Sequence, residues 1–324
     1  MTKKTLSDLL GIKYPILVAP MFLVSNVNMV VEALKFGVTA AIPALNYRTI
    51  PELREAIKQI KEQTAGPLGI NLIVNKSNPK YKEQLKALLE LKVDYIITSL
   101  GSPEETIKQC KPLGIKVFCD VVDAKYAQKV EALGADAIIA VNNRAGGHCG
   151  PLSQNELLKS ILDVCSLPVL SAGGIATSRQ IDEVMNLGAA GVSVGTIFLA
   201  SEEAGISSEY RNALIEYGEK DIVLTTKLSG SHLTVINTPY VQSLGAKAGF
   251  WERLMHKNKT LKKYIKLFIA FRGMKKIEKA AFKATYKTFW CAGPAIEHIK
   301  SIRPIREILE ELTSGIQFIN KKES

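Results

Sequence analysis

Short runs of apolar, largely β-branched residues recur along the chain, with amphipathic stretches between them. They begin at PILVAP (residues 15 to 20), TAAIPA (39 to 44), LGINLIV (68 to 74) and DYIITSL (94 to 100). They continue at IKVFCD (115 to 120), ADAIIAV (135 to 141), LPVLSAG (167 to 173) and AGVSVGT (190 to 196). Runs that are apolar almost without a break fit strands covered on both faces. The intervening stretches, such as KYKEQLKALLELK (80 to 92) and AKYAQKVEALG (124 to 134), place apolar residues at helical spacing. Several stop at glycine, as helix C-caps do. Eight such units at roughly 25-residue spacing predict an α/β fold, a TIM (β/α)8 barrel. An open doubly wound sheet stays as the alternative, because counting units does not establish closure.

After AGVSVGTIFLAS the pattern changes, and no further strand-helix unit follows. SGSHLTVINTPY leads into WERLMHKNKTLKKYIKLFIAFRGMKKIEKAAFKATYKTFW, which reads as basic helix. The predicted division is a barrel over 1–205, a smaller, mostly helical second domain over 206–289, and a helix over 290–324 that returns to the barrel.

Composition narrows the class. The chain has 324 residues, 47% of them hydrophobic, which is a globular balance and excludes a disordered or fibrous chain. No apolar run is long enough to span a bilayer, and MTKKTLSDLLGIKYP lacks the apolar block of a signal peptide, so a cytoplasmic protein is expected. Five cysteines (Cys110, Cys119, Cys149, Cys165, Cys291) are odd in number and never spaced as CxxC, so they read as reduced thiols with no metal site. The net charge of +11 is concentrated: between Lys247 and Lys287 stand 13 basic and 2 acidic residues. Such a segment reads as a solvated helical face, as a surface that steers an acidic carrier protein, or as an interfacial helix. Nucleic acid is not expected as a partner, and a homodimer stays open.

In a barrel of this kind the working groups stand where the strands end, and loops after the seventh and eighth strands often hold a phosphate. Those loops read SAGGIATS (171 to 178) and VGTIFLAS (194 to 201), and glycines there let backbone N–H groups approach an anion. Gly173, Gly174, Gly195 and Thr196 are the candidates, against the plain reading of tight turns. His148 lies in NNRAGGHCGP after the sixth strand, at the same end of the barrel. An imidazole titrates near neutrality and can take a proton from a carbon acid. Cys149 beside it has no activating histidine or acid nearby in sequence and reads as packing. Asn71, Ser99 and Asp120 end strands three to five as polar rim groups, each able to touch a ligand or to cap a turn. His232, within SGSH, is the other histidine placed to reach a substrate.

Taken in order, YPILVAPM, AGGHCG, SAGGIAT, GVSVGTIFLAS and WCAGPAIEHIKSIRP resemble the nitronate monooxygenase family, also called 2-nitropropane dioxygenases, with FMN-dependent enoyl-ACP reductases as near relatives. The resemblance covers about 12 to 200 and 290 to 312. It implies an FMN oxidoreductase that oxidises alkyl nitronates with O2, with His148 as the catalytic base and FMN held without a covalent bond. Ala19, Pro20 and Met21 would lie against the flavin ring, and Asn71 would contribute polar contacts to it. Gly173, Gly174, Gly195 and Thr196 would hold its phosphate, with Ser171 and Ala172 also expected to bind the cofactor. Gly147, Ser99 and His232 are then expected near the substrate. Two departures concern the substrate: Arg144 stands where many members carry an acid, and SGSHLTVINTP replaces a segment often rich in arginine. Alternatives stay open: an NAD(P)H-dependent enoyl-thioester reductase with FMN, and, outside enzymes, a peripheral membrane or nucleic-acid binding module.

Overall fold

The computed structural model describes residues 4–75, 78–226, 232–243 and 289–316. Eight parallel strands form its centre: β1 (Ile16–Val18), β2 (Thr39–Pro43), β3 (Leu68–Ile73), β4 (Tyr95–Ser99), β5 (Lys116–Val121), β6 (Ala137–Val141), β8 (Val169–Ala172) and β9 (Gly191–Val194). Each falls within, or overruns by one residue, one of the apolar runs. They close into a barrel, because Ile16, Leu17 and Val18 pair with Val192, Ser193 and Val194. The open sheet is thereby excluded.

Side chains alternate across each strand. Leu17, Ala41, Ile97, Ile139 and Leu170 fill the inside, together with Tyr95 and Phe118, whose rings stack at 4.6 Å. Tyr95 fits because its neighbour on β3 is Gly69, where a Cβ would sit 2.3 Å from the tyrosine ring. Thr39 donates to the Pro67 carbonyl at 2.7 Å, so the Tyr95 hydroxyl, 2.8 Å away, donates to Thr39. Each fully buried aromatic contributes roughly 2 to 3 kcal/mol through burial. A short helix, α1 (Leu6–Leu10), closes the end where the strands begin, with a Thr5–Asp8 capping box and Leu6 in the interior cluster.

Around the barrel lie α2 (Val27–Phe36), α3 (Ile50–Gln63), α4 (Tyr81–Glu90), α5 (Glu104–Cys110), α6 (Ala124–Ala132), α7 (Gln154–Leu162) and α8 (Ser178–Asn186). Thr49–Glu52, Ser153–Glu156 and Thr177–Gln180 start three of them with capping boxes, so these helix N-termini are set at the mouth where the strands end. The last helix, Ile305–Thr313, buries Ile305, Ile308, Leu309 and Leu312 on one face and lies against α2 and α8.

Between the barrel and that helix the described residues hold α9 (Ser208–Glu216), β10 (Ile222–Thr225), β11 (Leu233–Ile236) and a short helix Pro239–Ser243. The described part of 206–289 thus adds to its helices an antiparallel strand pair that the mostly helical reading did not include. That pair recruits a two-residue strand from the loop after β6, β7 (Gly147–His148), in the order β10-β11-β7. Four-residue strands are too short to show a period, and their partner lies far earlier in the chain. The basic stretch 247–287 lies outside the described residues. Among the described residues no helix is long and apolar enough to cross a membrane.

Candidate active site

Three loops meet at the mouth mainly through backbone. After β1, the Ala19 N–H donates to the Val194 carbonyl at 2.8 Å, and the Met21 N–H donates to Ser25 Oγ at 2.9 Å. Leu23, at φ 62°, is held in its left-handed conformation by its N–H donating to Asn46 Oδ1 at 2.9 Å. A Cβ on Gly195 would meet nothing nearer than Ala19 Cβ at 3.6 Å and Met21 Sδ at 3.7 Å. Glycine thus leaves a space bordered by two of the residues expected beside a flavin ring.

After β8 the chain turns through Gly173 and Gly174, at φ 115° and 81°. A Cβ on Gly173 would lie 2.4 Å from Asn142 Oδ1 and 2.6 Å from the Ala145 nitrogen. Asn142 is the strut behind this turn: fully buried, it donates to the Gly173 carbonyl at 3.0 Å and accepts from the Arg144 N–H at 2.8 Å. Ala172 faces the barrel interior, so Ser171 beside it points to the helical layer and is buried there. Ser171 therefore meets the mouth only through its backbone.

The segment Cys291–Gly293 returns to this same place. Thr196 Oγ1 accepts from the Gly293 N–H at 3.0 Å, and a Cβ on Gly293 would come within 2.4 Å of the Arg144 carbonyl. Tyr210 anchors the segment, its hydroxyl donating to the Cys291 carbonyl at 2.6 Å while its ring stacks on Trp290. WCAGPAIEH is part of the resemblance, but nothing in the sequence marks Gly293, Asn142 or Tyr210 as parts of the site.

His148 follows these loops on β7, paired with Leu233, while Gly147 pairs with Thr234. The residue is exposed at the surface, yet the protein packed around its ring withdraws enough water to lower its pKa below the usual 6.5. A lowered value keeps the imidazole neutral at pH 7, the form that accepts a proton. Burial raises the Cys149 thiol, which keeps it protonated and unsuited to nucleophilic attack. The His232 carbonyl accepts from the Cys149 N–H at 3.4 Å, so His232 is brought beside the His148 loop, with its own side chain exposed.

On the other side of the mouth, Asn71, which lies within β3 two residues before its end, joins Ser99 and Asp120 near the ends of β4 and β5 in one hydrogen-bonded chain. All three are half-buried. Arg144 lies against Gly174 and pairs with Glu219 at 2.9 Å, both partly exposed. Two further clefts lie elsewhere. One of about 240 Å³ around Leu9, Pro67, Lys92 and Asp94 is at the end where the strands begin; the other, of about 50 Å³, lies around His298 and Arg303. The smaller one borders the far ends of two of these loops at Ala176, Ile197 and Ala200 but touches none of Gly173, Gly174, Gly195 and Thr196, and in barrels of this type chemistry is sited where the strands end.

A parallel barrel with glycine-built loops and a neutral histidine at the strand ends defines a barrel enzyme. Residues 77–315 match the Nitronate monooxygenase family, and the chain belongs to that family of oxidoreductases, whose members are typically flavin-dependent. It is 31% identical over 242 residues, 75% of this chain and 68% of the other, to a (3aS,4S,5R,7aS)-5-hydroxy-7a-methyl-1-oxo-octahydro-1H-indene-4-carboxyl-CoA dehydrogenase of Rhodococcus jostii (strain RHA1). It is 26% identical over 291 residues, 76% of this chain and 82% of the other, to a probable nitronate monooxygenase of Staphylococcus aureus. Among solved structures it is similar to FabK from Thermotoga maritima, with TM-score 0.83, 25% identity and 99% of each chain covered.

Proposed function

We propose that this protein is an FMN-dependent oxidoreductase in which His148 takes a proton from a carbon acid, with a CoA-type acyl thioester as the substrate class. The observation that carries the reaction type is a neutral imidazole presented at the same mouth as two glycine turns suited to an anion. The residues fit the cofactor. Gly195 leaves space between Ala19 and Met21, Gly173 and Gly174 let backbone come close, and Asn71 offers an amide. When bound, FMN supplies the two-electron chemistry. The chain supplies the base, the backbone donors for the phosphate and the walls that orient the ring. His148 holds the substrate proton on a ring nitrogen, which its desolvated setting keeps free for that purpose at neutral pH.

The thioester is preferred because the relative at 31% identity is named for a CoA ester. An acidic carrier protein is the other thioester source, with the basic stretch 247–287 as its dock. A second reading, oxidation of alkyl nitronates with O2, is supported by the family match and by the relative at 26%.

An absorbance spectrum of the purified protein tests the cofactor, and anaerobic mixing tests the substrate. Bleaching by a saturated acyl-CoA supports the first reading; NADH oxidation that depends on crotonyl-CoA keeps the thioester class but runs the step in reverse, with His148 returning the proton to carbon. Bleaching by propionate 3-nitronate alone moves the assignment to the second. A colourless protein that takes up no added FMN ends both.

A further inference from the structure

The chain of polar groups on the β3 to β5 side of the mouth has a direction. Asn71 Nδ2 donates to Ser99 Oγ at 2.7 Å, and Ser99 Oγ donates to Asp120 Oδ2. A serine hydroxyl has one proton. While Asp120 is a carboxylate, that proton is committed to it, and Ser99 can meet the amide only as an acceptor. The Ile97 carbonyl supports the same orientation at a longer 3.3 Å. Both Asn71 contacts therefore use its nitrogen, and Oδ1 meets no donor among the described residues.

We propose that Asp120 is a positioning residue: acting through Ser99, it turns the Asn71 amide so that this side of the mouth offers an acceptor to a ligand N–H. The imide edge of a flavin ring has that chemistry, and in this respect the inference rests on the FMN reading above. Protonation of Asp120 lets the chain reverse, at the cost of the long Ile97 contact. The carboxylic acid can then donate to Ser99, which frees the Ser99 proton for the amide oxygen and turns the Asn71 nitrogen outward, where it repels the same ligand N–H.

Burial raises Asp120 to about 6, the Ser99 hydrogen bond opposing this less strongly, so the reversal falls just below neutral pH. Cys119, its neighbour on β5, has its thiol pushed up to about 12, and Tyr126 of α6 is raised as well, so both are uncharged through that range. No cation pairs with Asp120 among the described residues.

Titration of apoprotein with FMN, followed by flavin fluorescence between about pH 5 and 8, tests this in the wild type, Asp120→Asn and Ser99→Ala. The FMN phosphate titrates in the same range in every variant, so the difference between proteins is the readout. Asp120→Asn and Ser99→Ala are expected to bind about tenfold more weakly than wild type at pH 7.5, the effect of one misdirected hydrogen bond. The gap is expected to close toward pH 5, where the wild type itself is reversed. Equal affinity at pH 7.5, or a gap that stays constant with pH, overturns the proposal while leaving the FMN reading intact. A wild type that binds no FMN overturns both. If Asp120→Asn fails to fold by circular dichroism, Ser99→Ala decides by the same two measures.

Discussion

The two sides of the barrel mouth are built by different means. On the β6, β8 and β9 side, glycines and a buried strut bring main chain within reach: Gly173 against Asn142, Gly293 against Arg144, Gly146 against Thr196. On the β3 to β5 side, three side chains from three strands make a directed chain. A surface of main-chain donors has its polarity fixed by the peptide itself and suits an anion whose charge does not change sign. A surface of amide, hydroxyl and carboxyl can be reversed by one proton. One side is thus suited to gripping, the other to reading a ligand's hydrogen-bonding edge.

The largest effects should come from the gripping side. Gly173→Ala places a Cβ against Asn142 and Ala145 at φ 115° and should cost about 3 kcal/mol, with FMN lost from the purified protein. Thermal unfolding and flavin content check this, and a variant that melts with wild type and stays yellow would remove the distinction between the two sides. His148→Ala should retain FMN while the reductive step slows by roughly 10²- to 10⁴-fold. Because desolvation lowers the His148 pKa, the wild-type rate should hold its neutral-pH plateau below 6.5 and fall only as the ring protonates. An acid limb above 6.5 in the pH profile would contradict that assignment.

Smaller effects sharpen the picture. Tyr210→Phe removes the donor to the Cys291 carbonyl but keeps the stacking on Trp290, and should cost about 1 kcal/mol in chemical denaturation. No change would mean that the Trp290 contacts and the Gly293 hydrogen bond hold the returning segment without the tyrosine hydroxyl. Arg144 and Glu219 are both partly exposed, so a double-mutant cycle on stability should give a coupling of about 0.5 kcal/mol or less. A coupling well above 1 kcal/mol would show that this pair fastens the β6 loop to the strand pair.

Legibility also differed between the two sides. The gripping side was readable because a glycine needed for close approach leaves a mark in the sequence: GG at 173 and 174 and VGT at 194 to 196. Its strut and anchor were not, since neither Asn142 nor Tyr210 differs in sequence from an ordinary loop asparagine or helix tyrosine. Asn71, Ser99 and Asp120 were each visible as polar residues in or at the end of apolar runs, but nothing in their spacing joined them. The strand pair β10 and β11, and its pairing with His148, escaped for the same reason.

The order of eight strands and the helices between them came from the sequence alone, because burial on both faces imposes a local pattern that survives in one dimension. Closure, and the contacts that give the mouth its chemistry, were decided by tertiary structure. Register sets Ile73 opposite Ser99 and Thr98 opposite Cys119, which brings Asn71, Ser99 and Asp120 within hydrogen-bond reach. A shift of one residue would turn those side chains to opposite faces. Hydrogen bonds depend on positions in space to within fractions of an ångström, whereas the hydrophobic pattern depends only on which side of a strand or helix meets water.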